Sequence, residues 1–127
     1  MKALLVVALT IFAESGGEPR EGKRAVASVI WNRAGGDREK LSQVCQAPRQ
    51  FSCWNSGRPP VIPNTAPDLK AYIESYELAC NMLDGYFVPS TDATHFYAPD
   101  RVRAPRWIDA MVLVEEIGGH RFYRETK

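Results

Sequence analysis

Ala3-Leu4-Leu5-Val6-Val7-Ala8-Leu9-Thr10-Ile11-Phe12-Ala13, followed at once by Glu14-Ser15-Gly16-Gly17, is the stretch on which the fold turns. A run this apolar predicts a buried helix. Glu14 then stands at the C-terminal end of that helix, facing unsatisfied carbonyls in a medium of low dielectric. Both surroundings disfavour the ionised carboxylate and make Glu14 a candidate general acid. The plain alternative is that Glu14 marks where the helix reaches water. The residues after Glu14 argue against it. Ser15-Gly16-Gly17 suits a left-handed helix stop, and Glu18-Pro19 suits the first turn of a second helix. Residues 22 to 33 continue that helix, with Ala25, Val26, Val29 and Ile30 on one face. Two helices are thus expected to meet at a tight corner that holds Glu14.

Ala34-Gly35-Gly36 closes the second helix, and residues 37 to 44 predict a short third. From 45 to 63 the density of Pro, Gly and Ser predicts a long loop with an extended piece at 51 to 54, and long ordered loops in small domains are often functional. Thr65 is placed to cap a further helix, with Asp68 as capping partner and Pro67 in the first turn. Leu69, Tyr72, Ile73, Tyr76, Ala79, Cys80 and Leu83 keep helical period up to a stop at Gly85, and predict its core face. Beyond it, 94 to 97 and 120 to 123 carry β-formers and predict a small antiparallel sheet. Residues 107 to 117 predict a helix with Ile108, Met111, Val112 and Val114 inward. The fold class is helix-rich α+β in one domain, 1 to 127.

Composition excludes several classes. The chain has 127 residues and 45% hydrophobic content, enough for one core. Its 16 basic and 15 acidic side chains leave a net charge of +1 with no basic stripe, so nucleic acid is not expected as a partner. Met1-Lys2 and the apolar run have the look of the front of a secretory signal, but cleavage after Ala13 would remove the helix that carries Glu14. The run is also shorter than the ~20 residues a bilayer-spanning helix needs. Three cysteines are an odd number, and only Cys45 and Cys53 are close enough in sequence to close a local loop. Cys80 is expected as a small core residue. The scattered Cys and His residues lack metal-ligand spacing, so neither metal nor cofactor is expected.

Three separated segments carry a family resemblance: Phe12-Ala13-Glu14-Ser15-Gly16-Gly17-Glu18-Pro19-Arg20-Glu21-Gly22 through Val29-Ile30-Trp31-Asn32-Arg33; Gln50-Phe51-Ser52-Cys53-Trp54; and Ala93-Thr94-His95-Phe96-Tyr97-Ala98-Pro99, with Trp107 and Ile117-Gly118-Gly119-His120-Arg121-Phe122-Tyr123 behind it. In order and spacing the chain resembles the SleB-like cell wall hydrolases, a family of spore cortex-lytic enzymes, bacterial wall hydrolases and phage endolysins. The resemblance implies a lysozyme-like arrangement with a cleft between helical and extended parts. It also implies that the run 3 to 13 is the first helix of the fold, and that Glu14 is the catalytic acid. The implied partner is the glycan strand of peptidoglycan, met by a monomer in the periplasm or cell wall. With no convincing signal peptide, release by a phage holin is one expected route. Pro89-Ser90-Thr91-Asp92 departs from the family's Gly-containing turn.

Glycoside cleavage gives such an acid its task. The leaving oxygen needs a proton as an oxocarbenium-like centre develops, and hydrolysis usually needs a second carboxylate as well. Asp92 is the best positional candidate for that second group, followed by Glu18. No second carboxylate stands out, which points to lytic transglycosylase chemistry, in which the sugar's own C6 hydroxyl attacks C1. The alternative on the same bond is a hydrolytic muramidase with water placed by Ser52, Thr94 or His95. An amidase and a non-catalytic wall-binding module are the readings from other classes. Gln50, Ser52, Trp54, Thr94, His95 and Tyr97 are the expected substrate-binding residues. Trp31 and Trp107 are further aromatics suited to a sugar cleft. Asn32 is expected to make a helix-end bond, and His120 to open the closing strand with no role assigned.

Overall fold

Helix α1 (Ala3–Ser15) is the element the others surround. Val6, Val7, Ala8, Leu9 and Ile11 are all buried, as an apolar run without a polar face requires. Its two buried hydroxyls are satisfied locally, Thr10 Oγ1 donating to the Val6 carbonyl and Ser15 Oγ to that of Ile11, each at 2.7 Å. The computed structural model describes residues 1–48, 50–55 and 57–126. Arg49 and Ser56, within the segment read as a long loop, lie outside the described residues, as does Lys127.

Around α1 pack α2 (Arg20–Arg33), α3 (Leu41–Gln46) and α4 (Ala66–Asp84). Strands β1 (His95–Tyr97), β2 (Met111–Ile117) and β3 (His120–Glu125) form an antiparallel sheet in the order β1-β3-β2. The larger core joins α1 to Ala27, Ile30, Leu41, Cys45, Phe51, Tyr72, Ala79 and Met82. A smaller one joins Ala25, Val26 and Val29 of α2 to Ala93 and Phe122 of the sheet side, and Phe96 packs against both. Helix and sheet are therefore locked together through α2.

Several expectations are corrected. Residues 111 to 117 form a strand, preceded by a 3₁₀ turn at Arg106–Ala110, in place of the helix expected at 107 to 117. Pairing with β3 along its whole length sets the strand, and the strand carries a bulge. Leu113 pairs with Tyr123 and Glu115 with Phe122, leaving Val114 as the extra residue. Val114 and Ile117 then both pack on the smaller core, three residues apart, a spacing that imitates a helix. Residues 52 to 54, expected to be extended, form a 3₁₀ turn, drawn onto α1 by Trp54 Nε1 donating to Thr10 Oγ1 at 2.8 Å. Gly16 keeps right-handed backbone (φ −56°) rather than a left-handed stop, whereas Gly85 is left-handed (φ 84°) as expected.

On α4 the buried set is Tyr72, Ser75, Ala79 and Met82, while Leu69, Ile73 and Tyr76 are exposed and Cys80 is half-buried. The observed face keeps Tyr72 and Ala79 from the expected one and adds Ser75 and Met82, with Ser75 Oγ satisfied by the Ala71 carbonyl. Thr65 is the N-cap residue, but its hydroxyl bonds the Asp68 carboxylate (3.1 Å) and no backbone N–H is capped by its side chain. Cys45, Cys53 and Cys80 are free thiols, and burial pushes Cys45 up to about 12.

Candidate active site

The corner after α1 is built by three ties. Glu18 N–H donates to the Ser15 carbonyl at 2.9 Å, and Pro19 caps α2. Lys23, buried on α2, donates to the Glu18 carbonyl at 2.5 Å and forms an ion pair with Glu74 of α4 at 3.1 Å. The β2–β3 turn closes from the other side, with Gly119 N–H donating to Glu18 Oε1 at 2.9 Å. Gly118 has φ 56°, and a Cβ there would overlap Glu18 Oε1, so glycine is required for this approach. Glu14, Glu18, Asp100, Arg101, Gly119 and His120 thereby line one cleft of about 310 Å³.

Glu14 sits half-buried in that cleft and has no hydrogen-bond or ion-pair partner among the described residues. Burial raises its pKa above the ordinary 4.5, and the Arg33 guanidinium opposes that rise. A carboxyl group held towards its protonated form, with its oxygens free, can give a proton to a ligand.

A second cleft, about 430 Å³, includes Asn32, Arg33, Gln50, Thr94, His95 and Glu125 in its lining. Arg33 organises it from the end of α2. Its Nε donates to the Thr94 carbonyl (2.6 Å), its Nη1 to Gln50 Oε1 (3.0 Å), and its guanidinium lies 5.1 Å from the Phe51 ring centre. Burial lowers the Arg33 pKa, and Glu14 opposes that shift, so the two clefts are coupled electrostatically. Thr94 Oγ1 is 3.0 Å from His95 Nδ1, and the His95 ring meets Trp107 at 4.9 Å. Burial lowers the His95 pKa, Arg33 lowers it further, and Glu125 raises it.

Of the residues expected from sequence, Glu14 lines the first cleft, and Gln50, Thr94 and His95 line the second. Ser52 is exposed on its 3₁₀ turn. Trp54 is turned inward, its N–H held by Thr10, and Trp31 packs on Phe87 in the larger core at 5.5 Å. Tyr97 is buried between Trp107 and Tyr123, each ring 6.1 Å away. Asn32 Nδ2 donates to the carbonyls of Thr91 (2.9 Å) and Ala93 (2.8 Å), so this helix-end amide holds the segment that enters β1. Asp92 stands 74% exposed in an ion pair with Arg124 at 3.5 Å and is absent from both linings, whereas Glu18 shares the cleft of Glu14.

Sequence gives neither Arg33 nor His120 a role in the site. Arg33 closes the first quoted segment, and an Arg in the last turn of a helix ordinarily reads as a dipole partner. His120 follows two glycines and reads as the start of a strand. No cluster of three or more His, Cys, Asp or Glu side chains suited to a metal occurs among the described residues. No described helix is long and apolar enough to cross a membrane.

The fold falls in a known class. The chain belongs to the Cell Wall Hydrolase family, whose model matches residues 17–123. It is 29% identical over 92% of its length to a spore cortex-lytic enzyme of Oceanobacillus iheyensis, of which the match covers 40%. It is 28% identical to a spore cortex-lytic enzyme of Bacillus subtilis, again over 92% of this chain and covering 36% of that one. The chain thus spans well under half the length of these relatives. Among solved structures it is similar to the catalytic domain of the germination-specific lytic transglycosylase SleB from Bacillus anthracis, at 27% identity and a TM-score of 0.69, covering 96% of this chain and 93% of that one. The catalytic domain of the Bacillus cereus SleB protein matches at 27% identity and 0.67, covering 96% and 89%. The fold is lysozyme-like α+β.

Proposed function

We propose that residues 1–127 are a catalytic domain that cleaves the β-1,4 bond between N-acetylmuramic acid and N-acetylglucosamine in peptidoglycan, acting as a lytic transglycosylase with Glu14 as acid and then base. One observation carries the reading: the Glu14 carboxyl is half-buried, raised in pKa and unpaired in a cleft. Family membership and the transglycosylase named among the structural neighbours support it. Glu14 gives its proton to the departing O4. The C6 hydroxyl then attacks C1 and returns its proton to Glu14, leaving a 1,6-anhydro end without consuming water. The second cleft, through Gln50, Thr94 and His95, takes a neighbouring sugar. The chain works as a monomer on the glycan strands of the wall, reached by export or by holin-type release.

One observation favours the hydrolytic alternative. Glu18 places a second carboxylate in the Glu14 cleft, where water could be activated. Its Oε1 is already held by the hairpin amide, which gives it a structural task and favours the transglycosylase. Mass spectrometry of fragments released from purified peptidoglycan tests the choice. Anhydro ends, lighter by one water, are expected, and reducing ends would establish a muramidase. E14Q should stop either reaction, and a folded, fully active E14Q protein would overturn the proposal.

A further inference from the structure

His120 opens β3 immediately after the Gly118-Gly119 turn that docks on Glu18, and it lines the cleft of Glu14. Its ring is packed edge-on against Phe96, with centres 5.1 Å apart, and beside Phe122 at 6.1 Å. The residue is only 8% exposed, and Nδ1 is enclosed with no hydrogen-bond partner. Nothing among the described residues bonds the other ring nitrogen either.

A phenylalanine would fill this aromatic niche without burying unpaired nitrogen. Unsatisfied buried polar groups are rare in folded proteins, and an imidazole kept in such a place needs a reason beyond packing. The cleft supplies one on the other side of the ring, where Nε2 is not enclosed. Burial lowers the His120 pKa and Arg101 lowers it further, against the opposing pull of Glu18, so the ring is neutral at neutral pH, with one donor and one acceptor nitrogen. A neutral group of that kind suits an uncharged polar partner.

Resting on the glycosidase reading above, we propose that His120 is a substrate-contacting residue of the Glu14 cleft, its Nε2, the ring nitrogen that is not enclosed, hydrogen-bonding a hydroxyl or acetamido group of the bound sugar. Glu14 approaches from the end of α1 and His120 from the start of β3, so the sugar is gripped between helix and sheet. The Glu18–Gly119 hydrogen bond sets the imidazole at that position, and this assigns the glycine turn a role in placing His120.

The test is H120F and H120Q beside E14Q, assayed on peptidoglycan and on soluble muramoyl glycan fragments, with melting temperatures. H120F keeps the ring and removes both nitrogens. It is expected to melt at or above wild type while kcat/KM falls about 10- to 100-fold. H120Q, whose amide nitrogen falls near Nε2, should recover part of the rate. An H120F protein that is folded and fully active, beside an inactive E14Q, would overturn the role of His120 and leave Glu14 standing. An active E14Q would remove the reading on which both rest. Loss of melting temperature in H120F, with activity per folded molecule unchanged, would show a purely structural histidine and equally overturn the proposal.

Discussion

Helices α1 and α4 pack against each other and read in opposite ways. The first has no usable period and is buried nearly all round, with its sole acidic group at the exit. The second has a clear apolar period, yet Leu69, Ile73 and Tyr76 are turned to solvent and a narrower line of Tyr72, Ser75, Ala79 and Met82 meets α1. The middle of α1 is buried on all sides, while its last turn opens into the cleft with Glu14 half-buried, and it is the burial of Glu14 itself that holds its carboxyl above its ordinary pKa. Helix α4 is a buttress, holding α1 on one side and, through Glu74 and Lys23, the corner on the other.

The largest effect expected along α1 is at its end. E14Q should lower the rate of glycan cleavage by about 10³-fold or more, with the far-ultraviolet spectrum unchanged. Retained activity would reduce α1 to a structural element. The middle of the helix should respond in stability instead. I11A removes a fully buried side chain next to α4 and should cost about 2–5 kcal/mol, whereas I73A on the exposed side of α4 should stay within about 0.5 kcal/mol. Denaturant unfolding of the two variants checks the contrast. Equal losses would mean that the solvent-facing residues of α4 are covered by something.

Much of this was legible in the sequence. The run 3 to 13, the corner at Glu14 and the left-handed stop at Gly85 depend on local composition, and local rules found them. Residues 111 to 117 carry apolar side chains at 111, 112 and 114 that suit a helix face as well as a bulged strand, and only pairing with β3, invisible to rules of local spacing, decides for the strand. On α4 the expected face shares Tyr72 and Ala79 with the observed one, but Ser75 carries no hydrophobic signal and Leu69, Ile73 and Tyr76 extend the apolar surface beyond the line that meets α1. At the site, Glu14 and the Thr94-His95 segment stood out, but Arg33 joins residues 17 and 61 positions away, and such partners are not visible from spacing. Glu18 and His120 meet across 102 positions only because two glycines let a hairpin close on a helix start.

Lys23 sharpens the buttress role of α4. K23M keeps an apolar stem but removes the donor to the Glu18 carbonyl and the partner of Glu74. A loss of about 1–3 kcal/mol is expected, mostly from the carbonyl left without its bond. A cycle with E74Q, whose side chain is 22% exposed, should show a coupling of only about 1 kcal/mol, since water can replace the lost charge there. A large coupling would place the ion pair, rather than the carbonyl bond, at the centre of the corner.

The smallest effect is the most direct probe of how far Glu14 is desolvated at the end of α1. The folded-state pKa of Glu14 is raised by burial, so between 4.5 and that raised value the folded protein binds the proton more tightly than the unfolded chain. Stability therefore declines as pH rises through this window and stays at the lower level above it. E14Q has no such titration. It should melt above wild type at neutral pH, and the two curves should converge below 4.5, where both chains carry a neutral side chain. Arg33 works against the shift, so R33Q should raise the Glu14 pKa further and move the alkaline limb of activity to higher pH. A gap between wild type and E14Q that is constant with pH would mean that Glu14 titrates as an exposed carboxylate, and α1 would then differ from α4 in packing alone.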